Sequence, residues 1–214
     1  MSGDNAVLIA LAARGLPEAE RQKAVWLGAA FAVILRIALT FVAVELLSLP
    51  YVQILGGLAL LWIGVQLMNE ESDPLDETQT AQSTWSAVRT IFIADLVMSL
   101  DNVIAVAAAA KGSTLLLIFG LATSVPVVIL GSNLMINIMG RYPIIVTLGA
   151  GLIGWVGGET IATDASLSPL MAQWQAHLPN ALPVPILAAA IGAVLVMVLG
   201  KTNFFKTNES KIPL

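Results

Sequence analysis

The chain has 214 residues, of which 57% are hydrophobic and 11% charged, with a mean hydropathy of +0.87 and a formal net charge of -4. A soluble globular chain carries roughly 25% charged residues, so an ordinary water-soluble domain is excluded and a lipid bilayer is the first partner implied. Cysteine is absent, which excludes disulfides and thiolate metal sites; a bound metal must use oxygen ligands or the single His177. No basic patch suits nucleic acid.

Residues Met1–Ala13 are apolar but too short to span a bilayer alone. Arg14–Lys23 read as a short polar loop, followed by a helix from about Ala24 to Leu49 with Arg36 at its centre and Glu45 near its end. Pro50 starts a turn, and a third helix runs to about Met68. The stretch 70–84 is an acidic linker, with Glu70, Glu71, Asp73, Asp76 and Glu77, and reads as a solvated boundary. Helix 4 is expected over Trp85–Ala110, helix 5 over Thr114–Ile138 with Pro126 inside, and helix 6 over Tyr142–Ile161. Residues 162–183 form the longest irregular stretch, with Trp174 and His177 in a short amphipathic piece. Helix 7 covers 184–200, and residues 201–214 form a basic tail.

Within helix 4, Asp95-Leu-Val-Met-Ser-Leu-Asp101-Asn102 places two carboxylates in an apolar run long enough to span. Such groups are costly in lipid and mark bundle interiors, cavities or ion paths. Met98-Ser99-Leu100-Asp101-Asn102 is answered by Met1-Ser2-Gly3-Asp4-Asn5 at an offset of 97 residues. A second pair of segments, Leu55–Gly64 and Leu148–Gly157, matches at an offset of 93. The chain thus reads as a duplication: repeat 1 is residues 1–69 and repeat 2 is residues 85–161. Trp85–Val97 has no counterpart in repeat 1, so the first helix is expected to be truncated by roughly 13–17 residues relative to a full span.

Alternate loops carry Arg14, Arg21, Lys23, Arg89, Arg141, Lys201, Lys206 and Lys211, against Lys111 alone on the other side. The positive-inside rule makes the first set cytoplasmic. Three helices per repeat is an odd number, so the halves insert in opposite directions. The expected fold is all-α: a polytopic membrane bundle of about seven transmembrane helices, two inverted three-helix repeats plus a C-terminal helix. Many secondary transporters are built this way, with sites near the midplane.

Asp4, Asn5, Asp95, Ser99, Asp101 and Asn102 supply hard oxygen ligands, suited to Mn²⁺, Mg²⁺ or Ca²⁺ more than to copper or zinc. On a regular helix Asp95, Ser99 and Asn102 share one face, whereas Asp101 falls about 120° away. Either the helix unwinds near Leu100–Asn102, or Asp101 faces another neighbour such as Arg36. Arg36 is read as a structural ion pair to Asp101 or Glu45, or as a tethered cation that fills the site when metal leaves. Glu159 is an outer vestibule ligand or an interfacial residue, and Asn133 a polar group near the site or in helix packing.

Ser2-Gly3-Asp4-Asn5-Ala6-Val7, Leu35-Arg36-Ile37, Gly56–Gly64, Asp95–Asn102 and Gly154–Glu159 resemble the TerC/YjbE family of integral membrane metal transporters. The resemblance covers nearly the whole chain to about Leu199. It implies a multi-pass protein of the bacterial inner membrane, linked to Mn²⁺ export and, by family name, to tellurite resistance, with Asp4, Asn5, Asp95, Asp101 and Asn102 as the site. The family's first motif has an aspartate upstream of Ser-Gly-Asp-Asn; here that position precedes Met1. The resulting expectation is a divalent cation transporter using alternating access, with protons as a counter-ion and no prosthetic group. The rivals are a non-transporting scaffold or metal sensor in a stress-resistance complex, and an exporter of a small organic solute. An enzyme is not expected, since no nucleophile–base pair or His ligand set is present. The sequence leaves oligomeric state open.

Overall fold

The structure, a computed structural model, describes residues 3–69, 83–109, 114–177 and 183–202. Regular structure among the described residues is wholly helical, in line with the all-α polytopic class read from the sequence. The elements are α1 (Gly3–Ala13), α2 (Glu18–Ser48), α3 (Val52–Asn69), α4 (Thr84–Ala109), α5 (Thr114–Arg141), α6 (Ile144–Ala162), α7 (Ser168–His177) and α8 (Val184–Lys201). Most of the acidic linker and of the basic tail lies outside the described residues.

Among the described residues, five helical stretches are long and apolar enough to cross a membrane: Glu18–Thr40, Val52–Asn69, Thr123–Arg141, Ile144–Ala162 and Val184–Lys201. The apolar α1 is shorter, at 11 residues. The 26 residues of α4 carry Arg89, Asp95 and Asp101, and at 1.5 Å per residue they reach about 39 Å, beyond the ~30 Å hydrocarbon core. Large apolar side chains face outward along these helices, among them Trp26, Ile34, Leu55, Leu130 and Ile191. In water that exterior would be unstable; in lipid it costs nothing.

Three local expectations change: within 162–183, read as the longest irregular stretch, Ala165–Leu167 forms a short 3-10 turn and Ser168–His177 the helix α7. The loop 14–23 shrinks because α2 begins at Glu18, one residue after Pro17. Glu18 and Glu20 fall in the first turn, where negative charge suits the helix dipole. The unwinding considered near Leu100–Asn102 does not occur: α4 stays helical to Ala109. A continuous helix satisfies its own backbone groups, which a lipid setting demands.

Side-chain contacts give the helix directions. Glu20 meets Thr84, Gly28 approaches Ile91, and Arg36 meets Asp95 and Ser99, so α2 and α4 run parallel. Ala6 lies against Gly131, and Arg14 shares a cleft with Met139, so α1 and α5 are also parallel. In contrast α3 and α6 cross antiparallel: Gly57 abuts Gly157, and Gly64 abuts Ala150. At these crossings a Cβ on Gly57 would sit 2.5 Å from the Gly157 carbonyl oxygen. Helix α8 runs antiparallel to α6 along an equally close seam, with Gly154 and Gly158 against Gly192 and Ala188. The molecule thus holds a glycine-packed group, α3–α6–α8, beside a second group of α1, α2, α4 and α5. The largest apolar core joins the two, with Leu8, Ile9 and Leu11 of α1, Val25 of α2, Leu60 of α3 and Ile91 of α4.

Candidate functional site

The polar centre lies among α1, α2, α4 and α5, about halfway along the long helices. Burying an arginine there demands a counter-charge, and α4 supplies it. The Arg36 guanidinium pairs with Asp95 through Nη2 and Oδ1. Its Nε donates to Ser99 Oγ at 3.0 Å. The Ser99 hydroxyl in turn donates to Asp95 Oδ2 at 3.2 Å. This last bond spans one helical turn, as the spacing of four predicts. Asp95 is 2% exposed and Ser99 0%, so all three groups are held in a low-dielectric setting where removing one partner leaves a buried charge uncompensated.

From α1, Asn5 is buried and Asp4 half-buried, and the Asp4 charge is close enough to act on Asp95. Asn5 and Arg36 also line a small recess with Ser124 and Val128 of α5. Its volume is about 10 Å³, close to that of one water. The roomier clefts lie elsewhere. One of about 360 Å³, at the α1–α2 and α5–α6 junctions, is lined by Arg14 and Arg21, and another of about 190 Å³ contains Arg89. Basic linings do not suit a cation, so size is a poor guide to the chemistry here.

The expected site residues therefore divide. Asp95 and Ser99 hold Arg36, Asn5 lines a recess with it, and Asp4 precedes Asn5 on α1. Arg36 pairs with Asp95, where the sequence pointed to Asp101 or Glu45. The side chains of Glu45, Asp101 and Asn102 lie outside the described residues. Asn133 is exposed on α5, one residue on from buried Ser132, and is not brought to the centre. Glu159 is exposed on α6 and likewise stays apart from it. Among the described residues no group of three or more His, Asp or Glu side chains gathers to hold a metal.

The sequence reading missed Asp164, which is 1% exposed at the end of α6. Its Oδ2 accepts from the Gln53 and Ile54 amides at 3.1 and 3.2 Å, and its Oδ1 from the Tyr51 and Ser166 amides at 3.2 and 2.9 Å. The carboxylate thereby caps the start of α3 from another part of the chain, satisfying amides that the helix leaves unpaired. Burial opposes ionisation of Asp164, but the Ser166 hydroxyl and the converging amides outweigh it and hold the carboxyl below its ordinary value. The same clamp steadies Tyr51, whose φ of 69° lies in the left-handed region that a tyrosine seldom adopts. An Asp-x-Ser signature at 164–166 was the available signal.

Residues 1–210 match the TerC family of integral membrane proteins. The chain belongs to the TerC family. This TerC-family chain is 48% identical over 173 residues to the uncharacterized membrane protein YjbE of Bacillus subtilis (strain 168), an alignment covering 81% of the chain and 79% of YjbE. Identity to YkoY of the same organism is 27% over 177 residues, covering 73% of the chain and 54% of YkoY. A UPF0053 protein of Buchnera aphidicola subsp. Schizaphis graminum (strain Sg) is 25% identical over 234 residues, covering 99% of the chain and 42% of that protein. The TerC-family chain thus spans roughly half the length of these last two relatives. No solved structure matches it. Family membership, bacterial relatives and the apolar helices make it a multi-pass bacterial membrane protein.

Proposed function

We propose that this TerC-family protein transports a divalent metal cation across the bacterial inner membrane, with Mn²⁺ export as the specific activity. The observation that carries the reading is the buried Asp95–Arg36–Ser99 centre, with Asp4 and Asn5 beside it. A polar cluster of this kind at membrane depth has a high cost and a functional purpose by default. Asp4, Asn5, Asp95 and Ser99, joined by Asp101 and Asn102 from α4, are the proposed ligands, a hard-oxygen set fit for Mn²⁺. Protons are the proposed counter-ion.

Alternating access between inverted repeats is supported by the helix pairing. The α2–α4 and α1–α5 pairs exchange under the sequence duplication, and both are parallel. The Gly57–Gly157 contact becomes the Ala150–Gly64 contact under the offset of 93, and both belong to an antiparallel crossing. The test is Mn²⁺ flux into proteoliposomes containing the full chain. Asp95→Asn and Asp4→Asn each remove a charge that offsets a dehydrated divalent ion, and flux is expected to fall about a thousandfold, three steps of 1.4 kcal/mol. Wild-type flux from both variants at equal abundance would refute the site.

A second reading is favoured by one observation: no three-ligand group gathers among the described residues, and Asp95 is already paired. In a non-transporting scaffold of a stress-resistance complex, the Arg36–Asp95 pair is a structural bridge. Wild-type liposomes that take up no more metal than empty ones would favour it.

A further inference from the structure

The transport reading assigns Asp95 and Ser99 to the metal, yet both already hold the Arg36 guanidinium. A divalent ion bound at these oxygens would stand within a few ångströms of the guanidinium, and like charges so close in a low-dielectric site repel strongly. A guanidinium does not lose its proton in proteins, so Arg36 cannot withdraw by neutralising itself. It must move as a charged group. We infer that Arg36 is a tethered cation that the substrate displaces, and that it refills the empty site so that the carrier returns across the membrane without metal. This rests on the metal-transport reading and adds to it a rule for substrate charge.

With metal absent and Arg36 withdrawn, Asp95 would have to take up a counter-ion proton or stand uncompensated in a low-dielectric interior; Arg36 balances it without either. The Arg36 guanidinium meets Asp95 Oδ1 and Ser99 Oγ, while the Ser99 hydroxyl occupies Asp95 Oδ2, so both carboxylate oxygens are satisfied by the chain's own groups. Asn5 and Ser124, which line the water-sized recess beside Arg36, are the polar neighbours toward which a displaced guanidinium turns, and the recess must widen to take it. A monovalent ion gains nothing by replacing one unit charge with another. A divalent ion brings a second charge, and the half-buried Asp4 of α1, next to the recess residue Asn5, is the second carboxylate to answer it. Arg36 thus selects for divalent cargo by occupying the site that a monovalent ion would otherwise take.

The experiment compares two modes of Mn²⁺ movement in proteoliposomes: net flux into metal-free vesicles, and tracer exchange with equal Mn²⁺ on both sides. Exchange needs no return of the empty carrier; net flux does. Arg36→Gln should lower the half-saturating Mn²⁺ by about tenfold, a step of 1.4 kcal/mol. It should leave exchange close to wild type and depress net flux by about the same factor. Arg36→Lys keeps the charge but loses the fork that meets Asp95 and Ser99 together, so its net flux should fall, yet by less than that of Arg36→Gln. The inference is overturned if Arg36→Gln lowers exchange and net flux together at equal membrane abundance, the mark of a structural bridge, or if it changes neither. Should Arg36→Gln fail to fold, collapse of net flux in folded Arg36→Lys overturns it equally. Absence of Mn²⁺ movement in both modes for the wild type is a separate outcome, and it removes the transport reading itself.

Discussion

Replacing Asp164 by Asn tests the clamp between the end of α6 and the start of α3. The change keeps size and shape but turns one carboxylate oxygen into an NH₂ donor. If that donor faces the Gln53 and Ile54 amides, two accepted hydrogen bonds of 3.1 and 3.2 Å are lost and donors confront donors. If it faces the other way, the bonds from Tyr51 and Ser166 are lost instead. Hydrogen bonds to a charged group contribute roughly 1.5 kcal/mol or more each, so the cost is about 3 kcal/mol. For a chain of this size that lowers the melting temperature by about 6–12 °C. Thermal unfolding in detergent, followed by size-exclusion chromatography of heated samples, reads it directly. The pH dependence carries a sign. Because Asp164 titrates below its ordinary value when folded, its contribution is present above the unfolded value of about 3.9 and is lost as pH falls through the folded one. The gap between wild type and variant should therefore stay constant near neutrality and close only in acid. A variant that melts with the wild type at neutral pH would show that the clamp stabilises nothing.

Gly158→Ala should unfold the α6–α8 seam, since its Cβ would lie 2.2 Å from the backbone oxygen of Ala188; a cost above about 3 kcal/mol in detergent melting is expected. Gly28→Ala meets the Ile91 side chain, Cδ1 at 2.9 Å and Cγ2 at 3.1 Å, and no backbone, so its cost should stay near the low end of about 1–3 kcal/mol, and a loss as large as that of Gly158→Ala would refute the distinction. Ser99→Ala should retain far more Mn²⁺ flux than Asp95→Asn, because water can replace a hydroxyl; equal losses would make Ser99 an essential ligand. With no native cysteine, Thr163→Cys and Thr202→Cys should label from opposite faces of the membrane, Thr202→Cys from the cytoplasm. Labelling of both from one side would contradict the antiparallel course of α6 and α8.

Helix identity was legible because apolar run length is a direct reading of bilayer thickness, and the helix ends fell close to those expected except at α2. There Glu18–Lys23 reads as a polar loop by composition, while Pro17 and two early acidic residues make it a helix start. The pairing of Arg36 with an intramembrane acid was legible from cost alone. Which acid was not, because Asp95 and Asp101 differ by about 120° around α4 and only the placement of α2 decides between them. Asp164 escaped for a related reason. In a long irregular stretch a lone acid reads as solvated, and its burial depends on Tyr51–Ile54, more than a hundred residues earlier in the chain.

The close seam between α6 and α8 has a consequence for how the chain tells its two similar halves apart. Under the offset of 93, Gly154 and Gly158 of α6 correspond to Leu61 and Val65 of α3. A helix can approach α6 to backbone contact at these positions, as α8 does through Gly192, whereas the equivalent face of α3 is filled by branched side chains. Helix α8 therefore has one berth where a perfect duplicate would offer two. Two missing side chains give the molecule a handedness of assembly that its ancestry withheld, and they let a single added helix fix which half is which.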